Sequence, residues 1–169
     1  MTATVLQPPT PLPAKFGAPS LFLAGSIDDG MAEHWQALVV EALSDANVVL
    51  LNPRREYWEP PARQSIQNQV FRSQVNWELE AQERADLILM YFAPESKAPI
   101  TLLELGLFAR SGKLLIACPS TFWRRGNVEV VCARYGIPLV DSLEDLLQLT
   151  RSKLNLLSQE TPGTPALTN

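Results

Sequence analysis

The feature that most constrains this chain is an alternation of short, unbroken apolar runs with longer stretches of helical apolar period. The runs span residues 21–24, 48–51, 87–92, 114–118 and 137–140. A strand with apolar side chains on both faces must be covered on both, the condition of a parallel sheet between helical layers. Helical stretches lie between the runs, at 31–43, 67–84, 100–110, 127–135 and 142–156. In the first, Trp35, Leu38, Val39 and Leu43 share one face, with Asp28 or Asp29 placed to cap its start. The last opens on Ser142 and Asp145 in capping spacing, and Gly112 and Gly136 read as helix C-caps. Strand–helix alternation at this spacing implies right-handed crossovers. The 169 residues suit one domain with a sizeable core. The expected fold is therefore α/β, a single-domain three-layer sandwich with a five-stranded parallel sheet.

Both ends depart from that pattern. Residues 1–19 are rich in proline, which fixes φ and removes backbone donors, so a disordered tail is expected whose loss leaves the domain unharmed. Residues 158–169 turn to Gln, Thr, Pro and Gly, a second disordered tail, leaving 20–157 as the domain. A net charge of -4 gives no general attraction for a phosphate backbone, so nucleic acid is not an expected partner. Small anions stay within reach of local arginines. One histidine (His34) and two cysteines (Cys118, Cys132) without CxxC spacing make no zinc site, and no metal or other cofactor is expected. Both thiols read as reduced and partly buried in a cytoplasmic protein. No apolar run approaches the roughly 20 residues of a membrane span, and the N-terminus has no signal-like apolar core.

In parallel sheets of this kind ligands bind beyond the carboxyl ends of the strands. That rule selects Gly25, Ser26, Ile27 and Asp28 after the first strand, and Asn52, Pro53, Arg54 and Arg55 after the second. It also selects residues 93–104 after the third and 119–127 after the fourth. Glu104 lies in the apolar segment PITLLELG at the start of a helix. Its carboxylate is expected to be partly desolvated, yet close to a helix N-terminus that favours its charge. A structural role, capping backbone donors or pairing with an arginine, fits it equally well. Glu78, on the preceding helix, is a second acid, whereas Glu80 and Glu83 read as solvated charges. Asp86 reads as the stop between that helix and its strand, and is kept as a substrate-binding candidate. Two carboxylates converging on a pocket suit glycosyl transfer, one attacking the anomeric carbon and one handling the proton of the departing group. There is no Ser-His-Asp arrangement, phosphate loop or GxGxxG. Asn52, Arg54 and Arg55 can hold a substrate anion or orient the acids. Phe122, Trp123, Arg124, Arg125 and Asn127 combine aromatic and basic character, for base stacking or for packing at a subunit interface.

At these residues the chain resembles the nucleoside 2-deoxyribosyltransferase superfamily, over about residues 20–147. The resemblance rests on LFLAGSI, LLNPRR, QVNWELEAQERADLILMYF, and ITLLELGLFARSGK followed by FWRRGNV. It implies a flavodoxin-like fold and a double displacement without cofactor or metal, acting on nucleosides and nucleobases. Glu104 takes the place of the nucleophile that forms a covalent 2-deoxyribosyl intermediate, and Glu78 that of the acid–base partner. Gly25 and Ser26 match the turn beside the sugar. Asn127 falls where some relatives supply an asparagine from a neighbouring subunit, which implies a homo-oligomer. Phe22 stands where the family often has a tyrosine that positions the nucleophile, leaving Tyr91 or Tyr57 to supply a hydroxyl. Asp28 stands where related hydrolases of nucleoside 5′-monophosphates carry an arginine, which favours nucleosides. Arg54 and Arg55 keep the monophosphates, and hydrolysis in place of transfer, as an alternative, and a non-catalytic nucleotide-binding module that kept the fold and lost turnover is a third reading.

Overall fold

The computed structural model describes residues 2–26, 34–55 and 64–160. Chain order runs β1 (Thr4–Leu6), β2 (Ser20–Gly25), α1 (Trp35–Ala42), β3 (Val49–Leu51), α2 (Gln69–Arg84) and β4 (Leu87–Tyr91). It continues with α3 (Pro99–Phe108), β5 (Leu114–Ala117), α4 (Arg125–Tyr135), β6 (Leu139–Val140) and α5 (Leu143–Glu160). Every strand pairing is parallel, in the spatial order β1-β3-β2-β4-β5-β6. Without β1 this is the flavodoxin-like order, which reverses direction between β2 and β4.

The apolar runs behave as parallel strands must. Along β2, Phe22 and Ala24 face a core with Trp77, Leu105 and Val128 from α2, α3 and α4. Leu21 and Leu23 face a second core with Trp35 and Val39 from α1 and Leu146 and Leu154 from α5. Period-two alternation on one strand thus supplies two helical layers. Local signals set the ends of the helices. Asn68 Oδ1 accepts from the backbone N–H groups of Val70 and Phe71 at 3.1 and 3.2 Å. Ser142 Oγ accepts from the Asp145 N–H at 3.1 Å and donates to Asp145 Oδ2 at 2.6 Å. Gly136 ends α4 at φ 66°, a conformation that costs glycine nothing. Asp28 and Asp29 lie outside the described residues, and His34 stands at the start of α1 without a capping bond.

Two expectations change. The sheet has six strands, because the proline-rich beginning is part of the domain and contributes β1. Its register on β3 runs from Thr4↔Val49 to Leu6↔Leu51. The prolines that follow then carry the segment across the helical layer. Trp77 Nε1 donates to the Thr10 carbonyl at 2.9 Å, and Arg84 donates to the Pro13 carbonyl. The Arg84 guanidinium also lies 5.0 Å from the centre of the Phe16 ring. Leu6, Leu12, Phe16 and Ala18 pack on the core beneath. At the other end, α5 continues to Glu160, past the expected boundary at 157, and the residues after it lie outside the described set.

Candidate active site

The carboxyl ends of β2 and β4 meet where the sheet order reverses. Gly25 ends β2 at φ 153°, and a Cβ there would stand 2.4 Å from the Tyr91 carbonyl oxygen and 2.7 Å from the Trp35 ring. Only glycine lets the two strands finish this close. Ser26 follows, fully buried, its Oγ accepting from the Ala93 N–H at 3.2 Å and its carbonyl from Trp35 Nε1 at 2.9 Å. Gly25 and Ser26 therefore join the two strand ends as a fixed floor.

Beyond β4 the chain passes through Ala98, held in the left-handed region at φ 43°, and enters α3 with Pro99 at its first position. Pro99 has no N–H to satisfy and arrives with helical φ already set. Thr101, Glu104 and Leu105 point inward, whereas Ile100, Leu103 and Leu107 point to solvent at 61, 59 and 56% exposure. Glu104 is 8% exposed. Across from it, α2 presents Gln74, Glu78 and Gln82 at helical spacing of four. Gln82 Nε2 donates to Glu104 Oε1 at 2.8 Å, and Gln74 Nε2 donates to Glu78 Oε1 at 2.7 Å. Gln74 Nε2 also donates to the Pro53 carbonyl at 3.0 Å, which ties the loop after β3 to the same pair of acids.

Both carboxyls are pushed toward their neutral forms. Burial raises Glu104 to about 7, the negative charge of Glu78 adds to this, and the Gln82 amide opposes it. Burial raises Glu78 as well, against the Gln74 amide and the positive charge of Arg55. The helix N-terminus expected to favour charge on Glu104 is thus overruled by desolvation. Glu104 sits in the second turn, where the pull of the helix dipole has faded. The result is one buried carboxyl poised near neutrality beside another that burial shifts in the same direction. Such a pair can exchange roles between nucleophile and proton carrier.

Asn52 Oδ1 accepts from the Arg54 N–H at 3.0 Å, closing a turn that sets Arg54 and Arg55 above the end of β3. Two expected residues, Asp86 and Phe22, are not brought to the acids. Asp86 Oδ2 accepts from Ser20 N and Oγ, both at 2.7 Å, which pins β2 to β4 at their amino ends, the far side of the sheet. Phe22 is buried at mid-strand and gives no polar group. Asn127 is exposed on α4, with its backbone N–H bonded to the Arg124 carbonyl. Tyr91 packs edge-on against Trp35 in the core opposite α3, and Tyr57 lies outside the described residues. Glu80 and Glu83 are exposed, as expected. Sequence reasoning missed Gln74 and Gln82. Their one signal is a shared helical face with Glu78, which marks a face but not a purpose.

Two cavities bounded by described residues lie at the amino ends of the strands, one beside Asp86 and Lys153 and one beside Thr4 and Phe16, remote from the acids. Among the described residues no group of three or more His, Cys, Asp and Glu side chains is placed to hold a metal. No helix among them is long and apolar enough to cross a membrane.

The family described as "Nucleoside 2-deoxyribosyltransferase like" matches residues 18–122, a span that takes in β2 to β5, both acids and the intervening glutamines. No curated protein matches the sequence significantly. Among solved structures, one titled "Crystal structure of conserved protein from Enterococcus faecalis V583" superposes with a TM-score of 0.55 at 12% identity. The match covers 80% of this chain and 99% of that one. At that identity it supports the fold alone.

Proposed function

From the chain's membership in the nucleoside 2-deoxyribosyltransferase-like family, matched over residues 18–122, we propose that it transfers a 2-deoxyribosyl group between nucleobases. The observation that supports this most is the buried Glu104, bonded to Gln82 and set beside Glu78 at the switch point of the sheet. In this reading the ionised Glu104 attacks C1′ of the nucleoside. The bond from C1′ to the base nitrogen breaks, and protonated Glu78 delivers its proton to the leaving base. The deoxyribose is then held as an ester of Glu104. The incoming base attacks C1′ from the opposite face, its proton passes to Glu78, and Glu104 is released as a carboxylate. A water molecule in place of the second base would give hydrolysis. Gly25 and Ser26 form the wall beside the sugar, and Arg55 tunes Glu78 by its charge.

The reading includes a homo-oligomer. Ile100, Leu103 and Leu107 make an exposed apolar stripe on the helix whose other face carries Glu104, and Trp123 is 55% exposed close by in sequence to Asn127. Such a stripe suits burial against another copy. Light scattering that gives the monomer mass of 18.7 kDa at micromolar concentration would remove this part.

The test of the reaction is to incubate the protein with deoxyinosine, with and without free adenine. New deoxyadenosine is the expected product, and free deoxyribose in its place would assign the hydrolase. Trapping with a 2-fluoro-substituted deoxynucleoside should label Glu104. Normal turnover without any label would rule out the covalent route.

A further inference from the structure

The two buried glutamines that face the acids are bound in the same pattern. Gln82, fully buried on α2, donates through Nε2 to Glu104 Oε1 at 2.8 Å and to the backbone carbonyl of Glu78 at 3.3 Å. Gln74, two turns earlier, donates through Nε2 to Glu78 Oε1 at 2.7 Å and to the Pro53 carbonyl at 3.0 Å. A backbone carbonyl only accepts, so the NH2 end of each amide is fixed toward its carboxyl and the flipped form is excluded. Oε1 of both glutamines is in consequence buried with no partner among the described residues. A buried acceptor left unpaired opposes folding, so packing alone does not explain two amides held this way.

What the arrangement secures is the direction and the charge of a carboxylate. A carboxamide N–H favours the ionised form of the group it holds and carries no charge of its own. An arginine in the same place would bind Glu104 as an ion pair and hold back its lone pairs. Glutamine orients the carboxylate and leaves it free to react. The bonds of Gln82 also set a spacing. It reaches the Glu78 main chain and the Glu104 side chain at once, so a single turn of α2 fixes how far apart the two acids stand. Glu104 is held by Oε1, and among the described residues its Oε2 makes no hydrogen bond.

We propose that Gln82 is a positioning residue for the nucleophile, holding Oε1 of Glu104 so that Oε2 is the oxygen that attacks C1′. This rests on the reading of Glu104 and Glu78 given above and carries it to the reacting atom. In the first displacement Oε2 bonds to C1′ as the bond from C1′ to the base nitrogen breaks. The electron pair of that bond leaves with the base, which takes the proton of Glu78. Oε1 becomes the carbonyl oxygen of the ester and keeps the Gln82 N–H. When a second base or water displaces Oε2 from C1′, the charge returning to the carboxylate meets a donor already in place. Gln82 thus serves both the step that makes the ester and the step that breaks it.

The experiment follows the carboxyl carbon signal of Glu104 by NMR as pH is varied, in the full chain with labelled glutamate, and Glu104→Gln assigns the signal. Wild type is compared with Gln82→Met, which removes the donor. Gln82→Asn keeps an amide in the helix but withdraws it by one methylene, so it tests the bond even if the first variant is poorly folded. Gln74→Met is the control that leaves the Gln82 bond in place. Burial and the Glu78 charge put the wild-type midpoint at about 7. Loss of a hydrogen bond to the charged form should raise it by about one pH unit in both Gln82 variants, and Gln74→Met should not raise it. The rising limb of kcat/KM for deoxyinosine with adenine should move with the midpoint. The loss should be about tenfold near pH 6 and about twofold near pH 8, because the ionised fraction recovers as pH rises. A packing defect would lower kcat/KM by one factor at every pH, and that result would overturn the proposal. So would a Glu104 midpoint unmoved in a folded Gln82 variant. The carboxyl signal is read without substrate, which separates the two claims. An unmoved midpoint with normal base transfer refutes Gln82 alone. A wild type that neither transfers nor hydrolyses refutes the reaction, and the role of Oε2 with it.

Discussion

Replacing Glu104 with glutamine should make the protein more stable at alkaline pH, and the size of the effect follows from the site. Burial and the Glu78 charge raise the Glu104 carboxyl from 4.5 to about 7. A carboxyl with a raised folded value keeps its proton in the native state after the unfolded chain has released it. Stability therefore falls as pH rises from about 4.5 to about 7 and levels off beyond. The displacement corresponds to about 3 kcal/mol at about 1.4 kcal/mol per pH unit. Solvent screening removes little of it, because Glu104 is 8% exposed. Glutamine has nearly the same shape, has no charge to desolvate, and can accept the Gln82 N–H through its own Oε1. At pH 4 the two proteins should match closely. At pH 8 Glu104→Gln should be the more stable by about 3 kcal/mol, or about 6 to 12 °C in melting temperature for a chain of this size. Urea unfolding at half-unit pH intervals measures this without knowledge of any substrate. Stability curves that run parallel from pH 4 to 8 would show that Glu104 ionises without penalty. The account of a poised carboxyl would then fail.

Glu78→Ala should slow turnover most for bases that leave poorly and least for activated ones, visible as a steeper dependence of kcat on leaving-group basicity. Deleting residues 1–19 removes the packing of Leu6, Leu12 and Phe16, partly buried on the core, and should cost about 3 kcal/mol, read as a lower urea midpoint. Asp86→Ala should reduce stability by roughly 1 to 3 kcal/mol through loss of the Ser20 bonds, with kcat/KM unchanged, because it acts at the amino end of the sheet. Gly25→Ala should lose both stability and activity, since its methyl group meets the Tyr91 carbonyl, and amide exchange at Ser26 should rise with it.

Most of the architecture was legible because continuous apolar runs and helical periods report burial directly. The five apolar runs, the Ser142 cap and the Gly136 stop correspond to elements of the structure. Glu104 and Glu78 could be found because a carboxylate in an apolar segment is conspicuous. β1 could not. Its three residues pair with a strand some 45 positions away, and a segment so short has no period to detect. Gln74 and Gln82 were hidden for a chemical reason. A neutral amide on a mixed helix looks like any solvated side chain until its carboxylate partner is in place. Asp86 shows the opposite failure, since a polar residue at a strand boundary reads the same at either end of the sheet.

The placement of β1 has a consequence for self-association. A sheet ends safely only when its outermost strand is a poor template for another chain. Here the two margins are β1 with three residues and β6 with two, and the prolines Pro8 and Pro9 follow β1 almost at once. Proline offers no N–H to an incoming strand. Beneath β1 lies β3, Val49-Leu50-Leu51, wholly apolar and buried, with a row of backbone groups that β1 occupies. The opening residues of the chain thus act as a cover that keeps a sticky strand from recruiting its counterpart in a neighbouring molecule. A protein that lost them would reveal the loss first as concentration-dependent aggregation.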